Sequence, residues 1–97
     1  MVNTMKDFVP DKYFLSQNYP DPFNEKTTIK YCLPEKVRIK LELFDSERRK
    51  VKTLIDEIKE AGTYQVELKA NEMKEGVYFY RLTACNFEST KSMLLLK

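Results

Sequence analysis

Alternating apolar and charged positions mark the clearest strand of the chain. In Val37–Phe44 every second residue is apolar, and charged side chains fill most of the positions between them; this period of two predicts a half-buried β-strand. Thr63–Lys69 repeats the period, with Tyr64, Val66 and Leu68 on one face and polar side chains on the other. The polar face of this second strand should therefore meet water.

A third segment, Gly76–Cys85, is apolar on both faces at its start. Tyr78 and Tyr80 share one face, while Val77 and Phe79 occupy the other. Such a pattern is typical of a strand in the middle of a sheet whose two sides are both covered. We therefore predict a central strand here.

The whole pattern predicts an all-β protein. The predicted strands are Thr27–Leu33, Val37–Phe44, Val51–Ile55, Thr63–Lys69, Gly76–Cys85 and Glu88–Leu96, with a short seventh candidate at Tyr13–Ser16. This count suits an immunoglobulin-like β-sandwich of six to seven mostly antiparallel strands. Residues 1–12 are polar and include Pro10, which predicts a linker or flexible N-terminal segment before a domain of residues 13–97.

The segment Arg49–Ala61 gives a conflicting signal. Its apolar residues Val51, Leu54, Ile55 and Ile58 have the spacing of one helix face, and the glycine that follows suits a helix C-cap. A lone helix between two alternating strands, however, would need a packing face of its own. The pattern alone leaves helix and strand both open.

Composition and charge fit one small domain. The 97 residues are 42% hydrophobic, which is ordinary for a chain that folds around a single core. Seventeen basic and fifteen acidic residues give a net charge of +2. The one dense basic run, Arg48–Lys52, has acidic residues around it, so we expect a solvated turn and strand edge there and no nucleic-acid partner.

Residue types for catalysis and metal binding are scarce. The chain has no histidine, no G-x-S-x-G motif and only two glycines, so it lacks the usual general base, activated serine and phosphate loop. Cys32 and Cys85 have no C-x-x-C partner, and two free thiols are favoured because Cys32 faces away from the apolar side of its strand. The sequence predicts no enzyme, no metal and no cofactor.

Membrane and export signals of the common kinds are also missing. No run approaches the roughly 18 to 20 apolar residues of a membrane span, so no membrane insertion is predicted. Residues 1–8 lack the apolar centre of a secretory signal peptide.

The stretch Leu15–Asn24 joins a proline-containing polar turn to a predicted strand. Two prolines fix φ and remove backbone donors, while Asn and Asp side chains can bond their own backbone. Together with Thr27–Tyr31 this stretch resembles the opening of the C-terminal sorting domains of the type IX secretion system. Within that family it is similar to the Por secretion tail, type A-like. Ala61–Tyr64, Gly76–Leu82 and Thr90–Lys97 are similar to the family's later motifs in order and spacing.

The resemblance covers about residues 9 to 97 and implies a function. It implies a non-enzymatic C-terminal sorting signal that directs a larger exported protein across the outer membrane. The implied partners are the outer-membrane secretion translocon, a surface peptidase and an N-terminal cargo domain of a longer precursor with its own signal peptide. The implied location is the periplasm in transit and then the cell surface or the medium, with cleavage before Tyr13.

The resemblance also implies strand rather than helix after Arg49. We therefore predict a strand at Val51–Ile55, followed by a loop to Gly62. Arg48 stands where the family's D-x-x-G turn usually has glycine.

Two groups of residues are the candidate recognition sites. The N-terminal motif comprises Asn18, Pro20, Pro22, Phe23 and Asn24. The later motifs contribute the candidates for translocon recognition: Gly62, Tyr64, Gly76, Tyr78, Arg81, Lys91, Met93, Leu95 and Lys97. The glycines are also expected at turns of unusual φ, and Arg81 must either pair with a carboxylate or reach a sheet edge.

The last strand separates two functional hypotheses. Met93–Leu96 is apolar on both faces, so either a loop covers it or it offers an apolar edge to a partner by strand addition. The second hypothesis for the whole chain is a structural or adhesive immunoglobulin-like module that docks on a partner through its edge strand, because a fold does not fix a function.

Overall fold

A computed structural model describes residues 10–97 of the chain. These residues form seven strands and no helix: β1 (Phe14–Leu15), β2 (Lys26–Leu33), β3 (Val37–Phe44), β4 (Lys50–Lys59), β5 (Gly62–Lys69), β6 (Gly76–Ala84) and β7 (Phe87–Leu95). The predicted all-β class is confirmed. Of the predicted N-terminal linker, residues 1–9 lie outside the described residues, and residues 10–12 form no strand.

The strands form a β-sandwich. One sheet has the order β1-β2-β5 and the other the order β4-β3-β6-β7, and all five strand pairs are antiparallel. The chain changes sheet between β2 and β3, between β4 and β5, and between β5 and β6. Such crossovers between two packed sheets are the connectivity of immunoglobulin-like sandwiches.

The core lies between the two sheets and follows from the period of two. Successive side chains of a strand point to opposite faces, so every second residue turns inward. The buried apolar residues of the four main core strands are Ile29, Tyr31, Leu33, Ile39, Leu41, Leu43, Tyr78, Tyr80, Leu82, Ala84, Met93 and Leu95.

Strand β6 is central, as predicted, because it pairs with β3 on one side and β7 on the other. The prediction that both of its faces are covered is wrong. Val77 is 42% exposed, and Phe79 is only half-buried. No second layer of the described chain packs on this outer face, and the guanidinium of Arg48 lies 4.5 Å above the Phe79 ring instead.

The ambiguous segment is a strand, so the preferred prediction is confirmed, but its predicted end is wrong. β4 continues to Lys59, and the loop to Gly62 is only two residues long. The register against β3 shifts twice, which leaves Val51 and Leu54 as extra residues of β-bulges. Each bulge interrupts the alternation of side chains, so the neighbours Leu54 and Ile55 are both half-buried. Val51 and Ile58 are exposed, so the helical spacing does not mark one buried face.

The β3–β4 loop, Asp45–Arg49, is closed by one aspartate. The Asp45 carboxylate accepts hydrogen bonds from the backbone N–H groups of Glu47 and Arg49. The bond from the Arg49 backbone is the largest of several influences that lower the pKa of Asp45. Arg48 has a φ of +68°, so it adopts the left-handed conformation that glycine takes more easily.

Tyr78 forms a tyrosine corner. It lies near the start of β6, and its hydroxyl donates to the carbonyl of Lys74, four residues upstream, at 2.6 Å. This bond ties the β5–β6 connection to the core, as the corresponding tyrosine does in many immunoglobulin-like sandwiches. Tyr78 therefore fills the core with its hydroxyl at the edge, as the sequence indicates for a tyrosine at this position.

Both cysteines are free in the structure. Cys32 lies in β2, where its sulfur is 3.7 Å from the Thr63 hydroxyl. Cys85 is exposed in the two-residue turn between β6 and β7. Its φ is +56°, a value that favours glycine at the first central position of such a turn.

We expect Cys85→Gly to stabilise the domain. A left-handed backbone costs a non-glycine residue roughly 1–2 kcal/mol, and the extra freedom of glycine in the unfolded chain removes about half of that gain. The expected net increase in the free energy of unfolding is therefore about 0.5–1 kcal/mol, measured by urea denaturation under reducing conditions. Cys85→Ser is the control, because it removes the thiol and keeps the strained backbone; an equal gain in both variants would contradict the explanation.

Candidate recognition surface

The segment Ser16–Asn24, called the motif segment below, passes from one sheet to the other. Its first part runs beside β2, where the N–H of Ser16 donates to the carbonyl of Lys30 and Tyr19 exchanges two backbone bonds with Thr28, all at 2.9 Å. Its last part reaches the other sheet, where Phe23 forms a parallel bridge with Leu95. The motif segment thus closes one open side of the sandwich.

The motif segment covers the outer edge of β7 near the chain end. The N–H of Phe23 donates to the carbonyl of Leu94 at 3.0 Å, and the N–H of Leu96 donates to the carbonyl of Phe23 at 2.9 Å. The carboxylate of Asp21 accepts from the N–H of Leu94 at 2.9 Å. Main-chain groups that a partner strand would need are therefore already bonded within the domain.

This covering decides between the two alternatives for the last strand. Met93 and Leu95 are buried in the core, Leu94 is half-buried, and Leu96 is 46% exposed. The apolar end of β7 lies beneath the motif segment. The alternative of strand addition at Met93–Leu96 is therefore replaced by a contact within the domain. A partner strand cannot pair there without displacing Phe23.

Asn18 fixes the motif segment from inside. Its side chain is only 2% exposed, and its amide nitrogen donates to the Thr27 hydroxyl at 3.0 Å and to the Pro20 carbonyl at 3.2 Å. The Thr27 hydroxyl donates to the same carbonyl at 2.8 Å. Buried polar groups are stable only when bonded in this way, so the Asn18–Thr27 pair sets the path of the turn.

Tyr80 connects the motif segment to the opposite sheet. Its hydroxyl donates to the carbonyl of Ser16 at 2.7 Å, and the ring is fully buried in the core. Burial raises the pKa of Tyr80 to about 12. The phenol is therefore a neutral hydrogen-bond donor at physiological pH.

Most of the sequence-predicted residues gather at this end of the sandwich. Gly76 pairs with Leu95 and Tyr78 pairs with Met93 in the β6–β7 ladder. Gly76 has a φ of +147°, which confirms its expected turn role. At the same end, the N–H of Lys97 donates to the carboxylate of Glu75 at 2.9 Å.

Two predicted residues lie at the opposite end. Gly62 pairs with Leu33 at the far end of β2 and has a φ of +155°. The Tyr64 ring stacks on Tyr31 with centroids 5.4 Å apart, and its hydroxyl donates to the carbonyl of Glu60. These contacts stabilise the β4–β5 crossing, far from the chain end.

Arg81 and Lys91 lie between the two ends. Arg81 is on the outer face of the four-stranded sheet, where it forms ion pairs with Glu42 at 3.3 Å and Glu88 at 3.6 Å. Of the two alternatives for Arg81, pairing with a carboxylate is the one that the structure shows. Lys91 stands opposite Tyr80 in the ladder and is half-buried on the inner side of the edge strand, a placement that discourages edge-to-edge association of sheets.

Tyr19 is the functional candidate that sequence reasoning missed. Its side chain is 81% exposed, although its backbone is bonded twice to Thr28 and the next residue is Pro20. Pro20, Pro22 and Asn24 are also exposed around it. An irregular segment has no period, so no sequence signal shows which of its residues faces water.

The described residues contain neither a metal-binding cluster nor a membrane-spanning helix. Among residues 10–97, no group of three or more cysteine, aspartate or glutamate side chains is placed to bind a metal ion. The same part of the chain has no helix long and apolar enough to cross a membrane.

Comparison with known protein families identifies a match for this chain. A family model described as "Secretion system C-terminal sorting domain" matches residues 17–96. No curated protein and no solved structure matches the chain. The matched range begins within the motif segment and ends just after β7, so it includes most of the surface described above.

Proposed function

The chain belongs to the family of secretion system C-terminal sorting domains, and we propose that the outer-membrane translocon recognises the folded domain. Members of this family are sorting signals of the type IX system, which exports proteins to the cell surface or beyond. The observation that supports this proposal is the contact between the motif segment and the end of β7. The motif segment and the end of β7 form one surface, so a receptor would contact both family motifs only after folding.

Tyr19 is proposed as the main contact of this surface. Tyrosine is enriched among the residues that dominate binding energy, because it presents a large ring at small entropic cost. The backbone hydrogen bonds to Thr28 already restrict the motion of Tyr19, so binding would cost less conformational entropy. Tyr19 is 81% exposed on a fixed backbone, so its ring is better placed to contact a receptor than to stabilise the fold.

The wider role follows from the family and remains part of the proposal. The domain would end a longer precursor whose N-terminal cargo it directs through the outer membrane. It would itself be non-enzymatic, as sorting-domain families generally are. A surface peptidase would cut before Tyr13, since residues 10–12 form no strand and segments outside the regular structure are the usual sites of proteolysis.

The test is an export assay with a folded reporter. The chain is fused at the C-terminus of a fluorescent protein behind a signal peptide, in a bacterium with a working type IX system. We expect the reporter at the surface or in the medium, and we expect Tyr19→Ala to reduce export about tenfold or more, as for a hot-spot residue worth over 1.4 kcal/mol. The thermal midpoint of Tyr19→Ala should equal that of the parent domain.

Phe14→Ala is the matched control, since it also removes an exposed aromatic ring, one 52% exposed in β1. It should be exported normally. A folded parent fusion that stays in the periplasm would disprove the sorting role. Normal export of Tyr19→Ala would remove only the proposed role of Tyr19.

The alternative, a structural or adhesive module, rests on a different surface. β4 is the edge strand opposite β7, and it exposes Val51 and Ile58 at 48% and 58%. A partner could add a strand there without displacing any described residue. If the parent fusion is retained although folded, this edge becomes the preferred docking surface.

A further inference from the structure

The free edges of β4 and β5 form one side of the sandwich, called the open side below. β4 ends the four-stranded sheet and β5 ends the three-stranded sheet. The two strands follow each other in the chain after a two-residue connection, so their free edges lie on the same side. No described strand pairs with either free edge, whereas the motif segment covers the edge of β7.

Apolar side chains line the open side. Leu54 and Ile55 of β4 and Tyr64 and Val66 of β5 pack against the core and are only half-buried. At one end, a groove of about 450 Å³ is lined in part by Val51, which is 48% exposed. Contiguous apolar surface between polar residues is typical of an interaction site.

Two charged residues of β4 point toward this apolar strip. Lys52 stands opposite Leu43 in the β3–β4 ladder, and Glu57 stands opposite Ile39. Directly opposed residues of antiparallel strands share a face of the sheet. Leu43 and Ile39 are buried in the core, so Lys52 and Glu57 lie on the inner face of β4, where the free edge leaves both side chains exposed.

Both charges can still accept a partner. Among the described residues, Lys52 forms no ion pair. The side chain of Glu57 is 58% exposed and contacts Lys59 of its own chain through Oε2 at 3.0 Å. A carboxylate has two accepting oxygens, so Glu57 can bind a second cation.

The arrangement of these residues is self-complementary. Lys52 lies two residues before Leu54, and Glu57 lies two residues after Ile55. When two β4 strands meet antiparallel around a twofold axis between Leu54 and Ile55, Lys52 of each copy faces Glu57 of the other. A twofold interface requires a patch that matches itself in this way.

The edge of β7 lacks this match. Its inward residues are Phe87, Ser89, Lys91, Met93 and Leu95. Lys91 is the single charge among them, so two β7 strands would bring like charges together. An inward charge therefore protects the edge of β7, whereas the inward cation and anion of β4 attract a second β4.

We propose that the open side binds a second copy of this chain in a twofold-symmetric dimer. Leu54 and Ile55 of both copies form the apolar centre, and two ion pairs between Lys52 and Glu57 flank it. The two β-bulges bend β4, so the copies meet mainly through side chains. The inference goes beyond the sorting role, because self-association is measured on the isolated chain without secretion.

The first test is sedimentation velocity of the full chain over a concentration series, with reductant present so that the cysteines cannot cross-link. We expect a concentration-dependent equilibrium of monomer and dimer. Lys52→Glu places a carboxylate against Glu57 of the other copy twice per dimer, and it should weaken dimerisation at least about tenfold. A parent chain that stays monomeric at every concentration would overturn the proposal.

The decisive experiment mixes Lys52→Glu with Glu57→Lys. Each variant alone brings like charges together at both ion pairs, so each should be largely monomeric. In the mixed dimer every carboxylate faces an ammonium group, so the mixture should associate as the parent chain does. NMR of one labelled variant should then show shifts of the amides of β4 and β5 when the other is added; a mixture that stays monomeric would overturn the twofold arrangement.

Lys30→Glu is the matched control. Lys30 is exposed and stands opposite the exposed Gln65 on the outer face of the three-stranded sheet, so the same change of charge is made away from the open side. This variant should dimerise like the parent, and all variants should keep the thermal midpoint of the parent. Equal weakening by Lys30→Glu and Lys52→Glu would show that only net charge matters and would overturn the assigned interface.

Discussion

Deletion of Met93–Lys97 is expected to unfold the domain. Met93 and Leu95 are almost fully buried, and truncating a buried side chain of this size to alanine costs about 2–5 kcal/mol. The deletion also removes the ladder partners of Gly76, Val77 and Tyr78. Since a small domain has a total stability of about 5–15 kcal/mol, we expect most or all of the folding free energy to be lost.

The measurement is the cooperative unfolding transition by near-UV circular dichroism, supported by the dispersion of the amide NMR spectrum. The matched control is Leu96→Ser, which changes the exposed apolar residue of the same five and should shift the free energy of unfolding by no more than about 0.5 kcal/mol. A truncated chain that still unfolds cooperatively at an unchanged midpoint would contradict this account.

This expectation changes how a secretion experiment must be designed. A truncation that abolishes export is compatible with a lost contact to the translocon and equally with a lost fold. Only variants that keep the fold, such as Tyr19→Ala, can separate recognition from stability. The buried candidates Tyr78, Met93 and Leu95 should therefore be tested for stability before any loss of export is assigned to them.

The regular strands were predictable because alternation and burial have the same cause. In β3, the apolar residues at every second position are the ones that turn inward. β4 was harder, because its two bulges place Leu54 and Ile55 side by side in the sequence and both half-buried. A single sequence contains no signal for the position of a β-bulge, so the loss of alternation in β4 could not be predicted.

The candidate site was predictable in outline but not in residue roles. The two motifs could be located, yet only three-dimensional contacts show that Phe23 bonds to the end of β7. Long-range contacts decide this feature, and the local sequence pattern carries no information on them.

Replacing Asn18 with alanine is expected to lower the free energy of unfolding by about 2–3 kcal/mol, since a lost buried hydrogen bond costs about 1–3 kcal/mol. The change removes the donor to Thr27 and Pro20. It also removes the acceptor of the Gln17 side-chain amide. Urea denaturation at neutral pH measures the effect.

Asn24→Ala is the control for Asn18→Ala, because it makes the same chemical change at an exposed position of the same motif and should cost less than about 0.5 kcal/mol. A double-mutant cycle with Thr27→Val tests the mechanism, and the two changes should be coupled by about 1 kcal/mol if the buried bond is responsible. Equal costs at Asn18 and Asn24, or additive effects of Asn18 and Thr27, would mean that the buried pair does not fix the turn. A turn fixed by the Asn18–Thr27 bond keeps Tyr19 exposed even without a receptor. Variants that loosen this turn should therefore lose both stability and affinity for the receptor.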